Sequence, residues 1–236
     1  MTEEKCFFRV ALPTDETRIF DFCDRHFFQH EPMCQFLALS ESKSWTDQYL
    51  RSEFHHFGVM PCLDEPFSIL AVTPQDDILG VMLGKIWTRD NATKSQTLDL
   101  QIIQYLSWLL PRKMVDATNL IQFSEVKCGF NPVDLLNDLG SETLFIGELL
   151  CVSQQYRGQG LGQKLLSKSV ALAQEQNCDS YASLATAIYS QRIFLSSGFS
   201  CKTEEAYQEC TSLRASPNFE VFRPHTSAKV CCMSLI

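Results

Sequence analysis

Several features that would direct a chain to common fates are missing here. No apolar run approaches the roughly 18 to 20 residues needed to cross a membrane; the longest are strand-sized. None of the eleven cysteines falls in a Cys-x-x-Cys pair, so neither a zinc ribbon nor a thioredoxin-like redox site is expected. Basic residues are in the minority, with 20 Lys and Arg against 28 Asp and Glu and a net charge of −8. The isoelectric point is about 5.1. A nucleic-acid partner needs a basic face to neutralise phosphates, so none is expected. The start, Met1 to Cys6, is polar and acidic and lacks the basic-then-apolar order of a signal peptide. That predicts a cytoplasmic protein with reduced, mostly buried thiols. For His26, His30, His55 and His56 no metal-ligand geometry can be argued, and no metal is expected. Ten glycines and nine prolines are ordinary numbers, which excludes a disordered or fibrous chain.

What is present suits a packed core. Hydrophobic residues make up 45% and charged residues 20% of 236 residues, enough apolar material for a single domain spanning 1–236. Phe7 to Leu12 predicts a first strand. Pro13-Thr14-Asp15-Glu16 predicts a helix start capped by Thr14, with Ile19, Phe20, Cys23 and Phe27 inward and an end near Pro32. A second helix is expected from Ser44 towards Phe57. Phe67 to Thr73 and Ile78 to Thr88 read as a hairpin closed by Pro74-Gln75-Asp76-Asp77. Arg89 to Gln96 reads as polar loop, and Ile102 to Phe123 as helix interrupted at Pro111. Asn131-Pro132 is a helix start. Then come a strand (Thr143 to Ser153), a glycine turn, a helix (Leu161 to Gln176), a strand (Tyr181 to Ala185) and a helix ending at Gly198. Phe219 to Phe222 and Ala228 to Leu235 are predicted as the last strands. The strand, helix, strand order implies a parallel crossover, hence a mixed α/β sheet.

The most informative stretch is Arg157-Gly158-Gln159-Gly160-Leu161-Gly162, between a strand and a helix. A helix N-terminus offers unpaired N–H groups and a positive dipole end, and glycines let a phosphate approach the backbone. A Walker loop would need Gly-Lys-Ser or Gly-Lys-Thr, whereas this run continues Gly162-Gln163-Lys164. A dinucleotide fold would need Gly-x-Gly-x-x-Gly, and the spacing here is Gly-x-Gly-x-Gly. The residues alone leave two readings, an anion-binding loop or a plain glycine-rich turn.

The same six residues resemble the (Gln or Arg)-x-x-Gly-x-(Gly or Ala) motif of the GCN5-related N-acetyltransferase (GNAT) superfamily. The preceding strand, the following helix and Ser197-Gly198-Phe199 closing the next helix also match. The resemblance implies a splayed mixed sheet flanked by helices, with acetyl-CoA wedged between two parallel strands. It assigns coenzyme contacts to Leu150, Cys151, Val152, Arg157, Gly158, Gln159, Gly160, Leu161 and Gly162. Gly147 fits either a bulge that frees a donor near Leu149 or Leu150, or simple close packing.

Four further segments are similar to the insect-type arylalkylamine N-acetyltransferases. They are Phe27-Phe28-Gln29-His30-Glu31-Pro32-Met33, Tyr156-Arg157-Gly158, Thr186-Ala187-Ile188-Tyr189-Ser190 and Pro224-His225-Thr226. The resemblance is weakest from Arg89 to Asp138. It implies that Glu31 is the general base, since an amine arrives as ammonium and must lose a proton before attack. By itself Glu31 also reads as a surface acid before a turn. Thr186 and Ser190 take the places of two serines that orient the amine and protonate the departing thiolate; Ser190 also fits a helix cap. Many superfamily members use a tyrosine acid at the position of Phe194, which has no proton to give. His225 fits a place in the amine pocket or a structural role, and Phe27, Phe28, Tyr49 and Phe57 are candidates for an aromatic lining. The expected activity is acetyl transfer from acetyl-CoA to arylalkylamines such as dopamine, serotonin, octopamine or tryptamine, by direct attack in a monomer. Polyamine or longer-acyl transfer, and coenzyme binding without catalysis, are the alternatives.

Overall fold

The computed structural model describes residues 6–39, 44–92 and 110–236. Its strands are β1 (Phe7–Val10), β2 (Ile69–Val72), β3 (Ile78–Thr88), β4 (Thr143–Val152), β5 (Ser180–Ala185), β6 (Ser200–Ala206) and β7 (Ser227–Ser234). They form one sheet in the order β1-β2-β3-β4-β5-β7-β6. Only β4 and β5 run parallel; every other neighbouring pair is antiparallel. The expected mixed α/β sheet is therefore present.

Helices cover both faces. On one lie α1 (Glu16–His26), α2 (Pro32–Phe36), α5 (Arg112–Gln122) and α6 (Pro132–Asp138). On the other lie α7 (Leu161–Glu175) and α8 (Ile188–Ser196). Leu161, Leu165, Leu166 and Ala173 of α7 pack on Ile69, Ala71, Met82, Phe145 and Tyr181. Ile19, Phe22 and Cys23 of α1 pack on Leu70, Val72, Val81 and Leu83. The alternation along β2 between these two cores is the period-2 pattern of a strand buried on both faces.

Two features of β4 shape the centre. It pairs with β5 only at Leu144↔Ser180, Phe145↔Tyr181 and Ile146↔Ala182, after which the strands part. Against β3 its register slips, with Gly84 facing Gly147 but Leu83 facing Leu149, which leaves Glu148 as the extra residue of a bulge. Leu144 and Ile146 face the same side as Leu149 and Cys151, because the extra residue inverts the alternation. Gly147 is required where it stands: a Cβ there would come within 2.7 Å of the Tyr181 hydroxyl.

Several expectations are corrected. The segment Phe219–Phe222 is a 3-10 turn rather than a strand; the missing strand is β6, whose exposed Lys202, Glu204 and neighbours hide it as a polar edge. Thr14 does not cap α1. A 3-10 turn, Pro13–Asp15, precedes the helix, and the Asp15 carboxylate accepts from Leu12 N–H and binds Arg9 and Arg18. The chain does not run as helix to Pro32: α1 ends at His26, and Pro32 opens α2 at its first position. Arg89–Ala92 is a short helix, α4, rather than loop. Ser44 does cap α3 (Trp45–Glu53), accepting from Asp47 N–H, and α3 continues into a π-helical turn, Phe54–Val59. Pro111 begins α5, while 93–96 and 102–109 of the expected loop and helix lie outside the described residues. A further short helix, α9 (Thr211–Arg214), follows β6.

Candidate active site

The parting of β4 and β5 opens a cavity of about 1700 Å³. Glu31, Leu150, Cys151, Val152, Arg157, Gly158, Gly160, Leu161, Gly162, Thr186 and Ser190 all line it. Gln159 and His225 are not part of the lining.

The glycine loop forms one end. After β4 and a 3-10 turn, Gln154–Tyr156, Gly158 and Gly160 take φ of 74° and 78°, a left-handed conformation that favours glycine. Gly160 is the N-cap of α7 and provides no side-chain cap. The first intrahelical bond is Lys164 N–H to Gly160 O at 3.1 Å, so the amides of Leu161, Gly162 and Gln163 have no partner within the helix. Two polar side chains of the loop serve the loop itself. Arg157 donates to Val152 O at 3.1 Å and to His26 O at 2.8 Å, tying the loop to the end of β4 and to α1. Gln159 donates to Gln155 O at 2.9 Å. The backbone amides and the dipole end thus remain to meet an anion.

At the centre, Glu31 is held at both oxygens. Its Oε2 accepts from Cys34 N–H at 2.6 Å, which makes Glu31 the N-cap of α2. Its Oε1 accepts from the Thr186 hydroxyl at 2.7 Å. Thr186 follows β5 directly, and its carbonyl accepts from the Tyr207 hydroxyl at 2.7 Å. Burial pushes the Tyr207 phenol well above its usual range, and the nearby Glu31 charge adds to that, so Tyr207 remains a donor. Ser190, one turn into α8, donates to Ala187 O at 2.8 Å; Ala187, not Ser190, is the N-cap residue of α8. Glu31, Thr186 and Ser190 are half-buried.

His225 sits behind this group. Its Nδ1 accepts from Ile188 N–H at 3.2 Å, at the start of α8, and its ring meets Tyr189 edge-on with centroids 6.0 Å apart. Burial lowers its pKa and the Glu31 charge partly opposes that. An imidazole that must accept at Nδ1 carries its proton on Nε2 when neutral.

The aromatic candidates divide. Phe27 lines the cavity, Phe28 is wholly buried against Phe54 with centroids 4.8 Å apart, and Tyr49 is exposed. Phe194, which the sequence resemblance aligned with a tyrosine acid, is buried against Phe199. Residues outside the sequence motifs also contribute. The Cys34 amide fixes Glu31 as the local N-cap partner after Glu31-Pro32, and the Tyr207 hydroxyl fixes Thr186 from a distant part of the chain that no local pattern marks. Ser183 donates to Gly147 O at 2.8 Å, where β4 and β5 separate. Lys85 forms an ion pair with Glu148, the bulge residue, at 2.6 Å. Among the described residues no group of three or more His, Cys, Asp or Glu could hold a metal ion, and no helix is long and apolar enough to cross a membrane.

Comparison with known proteins matches this architecture. Residues 147–213 fit the family model "Acetyltransferase (GNAT) domain". Arylalkylamine N-acetyltransferase 2 from Aedes aegypti is 22% identical, with a TM-score of 0.76, over 98% of this chain and 100% of that one. The mosquito arylalkylamine N-acetyltransferase like 5b is 17% identical with a TM-score of 0.69, again over 98% and 100%. A Drosophila melanogaster polyamine N-acetyltransferase, which forms N-acetylagmatine, has the same TM-score and coverage at 13% identity. The chain therefore has the GNAT fold, carries the GNAT acetyltransferase signature across the segment that holds its glycine loop, and resembles the insect arylalkylamine N-acetyltransferases.

Proposed function

We propose that the chain is an acetyl-CoA-dependent N-acetyltransferase of small amines, arylalkylamines foremost, acting as one cytoplasmic, monomeric domain. The observation that carries this reading is the 2.7 Å hydrogen bond between Thr186 and Glu31, within the cavity that also reaches the glycine loop. Two of the residues that the resemblance made functional thus meet across the fold. Acetyl-CoA supplies the activated acyl group, its pyrophosphate held by the amides of Gly158 to Gly162 and its thioester lying near the bulge and Leu150 to Val152.

The chain's own residues manage protons and position. Glu31 attracts the ammonium and accepts one proton, which frees the nitrogen lone pair. The amine attacks the thioester carbonyl, the C–N bond forms and the C–S bond breaks. The thiolate takes a proton from Ser190 or Thr186, that hydroxyl regains one from the second proton the nitrogen loses, and the first proton passes from Glu31 to solvent. Orientation by the fixed carboxylate supplies much of the effect. The thiols take no part: those of Cys34 and Cys23 are buried and pushed well up by desolvation, the reverse of an activated nucleophile.

A polyamine acceptor is the second reading, favoured by the likeness to the polyamine enzyme. Thiol release from acetyl-CoA with a panel of aryl and aliphatic amines tests both. Release with an arylalkylamine supports the first reading, and release with polyamines alone supports the second. Coenzyme binding without release for any amine would refute both in favour of a binding protein.

A further inference from the structure

The cavity holds a second carboxylate that the chemistry above leaves unused. Glu125 belongs to a π-helical turn, Phe123–Lys127, that continues α5, and it lines the same cavity as Glu31. The turn is fixed to the elements that carry the central group. Ser124 Oγ lies 4.0 Å from Met33 Sδ, two residues beyond Glu31. Phe123 packs on Tyr207 with centroids 5.4 Å apart, and Tyr207 holds Thr186.

Glu125 is half-buried, yet among the described residues no hydrogen bond or ion pair engages it, and burial alone raises its pKa. Glu148 in the same cavity is already neutralised by Lys85, and Glu31 is held by Thr186 and Cys34. A partly desolvated carboxylate without a donor is unfavourable, and a ligand that brings a donor relieves it. The wall near it is apolar, with Met33, Leu120, Ile121 and Phe130 in the lining.

We propose that Glu125 receives a hydrogen-bond donor at the far end of the acceptor, so that the preferred substrate is an amine with an apolar body and a distal ring hydroxyl or second cation. This rests on the acetyltransferase reading and narrows its substrate class. It makes Glu125 a specificity-determining residue.

Matched amine pairs test it: tyramine against phenethylamine for the hydroxyl, agmatine against pentylamine for the cation. In the wild-type protein at least one pair is expected to favour the donor-bearing member by about tenfold or more in kcat/KM. Glu125→Ala should bring that ratio to about one. Glu125→Gln, which still accepts a hydrogen bond but carries no charge, should keep a hydroxyl preference and lose a cation preference. No preference in either wild-type pair, or ratios unchanged in Glu125→Ala, overturns the proposal. Calorimetric binding of the same amines separates it from the reading beneath it. Binding that depends on Glu125, with no thiol release for any amine, would leave the subsite standing and remove the enzyme.

Discussion

The Thr186 hydroxyl donates to Glu31 Oε1 at 2.7 Å, joining residues 155 positions apart in the chain. Its consequence for rate is direct. Glu31→Gln should lower kcat by about 10²- to 10⁴-fold with little change in melting temperature, because the amide oxygen can still cap Cys34. Thr186→Val removes a hydrogen bond to a charged group, about 1.5 to 3 kcal/mol, and should slow turnover roughly 10- to 100-fold. Thr186→Ser should restore most of it. Steady-state kinetics of the three variants check the set; a fully active Thr186→Val would reduce Thr186 to a packing residue.

Arg157 holds the glycine loop through two backbone carbonyls rather than by reaching into open solvent. Arg157→Met should therefore raise the KM for acetyl-CoA about tenfold, the equivalent of one lost charge-assisted hydrogen bond, with the amine KM little changed. Arg157→Lys should not rescue it, since an ammonium cannot reproduce the guanidinium fork. An equal rise in both KM values would show that the side chain supports the whole cavity instead.

His225 provides a pH test. Its pKa is lowered by burial, with Glu31 opposing, so the native protein takes up this proton at lower pH than the unfolded chain does. As pH falls through the ordinary imidazole value, about 6.5, the unfolded state gains a proton that the native state does not. Stability falls in that window, and above it the contribution is independent of pH. His26 and His30 are lowered in the same direction, so a variant without His225 keeps part of the slope. Urea unfolding at pH 7.5 and 5.5 should show a smaller loss in His225→Gln than in the wild type.

The cysteines should divide by exposure. Cys201 is exposed, whereas Cys23, Cys34 and Cys151 are buried, with the Cys151 thiol pushed up to about 12 by burial. Iodoacetamide on the native protein is expected to label Cys201 first and leave thiol release from acetyl-CoA intact. Rapid inactivation with labelling at Cys34 would argue for a thiol in the reaction.

The sheet and its crossover were legible because their signals are local: largely apolar runs in β2 to β4, the glycine loop, and the helix that follows it. The strand β6 was not, because an exposed edge carries Lys202, Glu204 and Glu205 in place of an apolar stripe. Phe219, Val221 and Phe222 mimic a strand, yet they close the core beneath Phe36 from a 3-10 turn. Glu31 and Thr186 could be named by resemblance to a family. Their contact could not, because it depends on how β5 ends beside α2. Tyr207 was invisible for the same reason, since its hydroxyl reaches Thr186 only through the fold, whereas the Cys34 amide is a local partner that the Glu31-Pro32 helix start could have signalled.

The bulge at Glu148 gives β4 one residue more than its ladder with β3 requires. Swapping Leu149 for another aliphatic residue would alter only local fit. Deleting Glu148 would set Leu149 next to Gly147 in an unbroken ladder, with Leu149 and Cys151 still in the α1 core and Leu150 and Val152 still on the α7 side. Inserting a further residue there would instead widen the bulge or turn those four side chains to the opposite faces of the sheet. The segment is therefore open to the loss of one residue and closed to the gain of one.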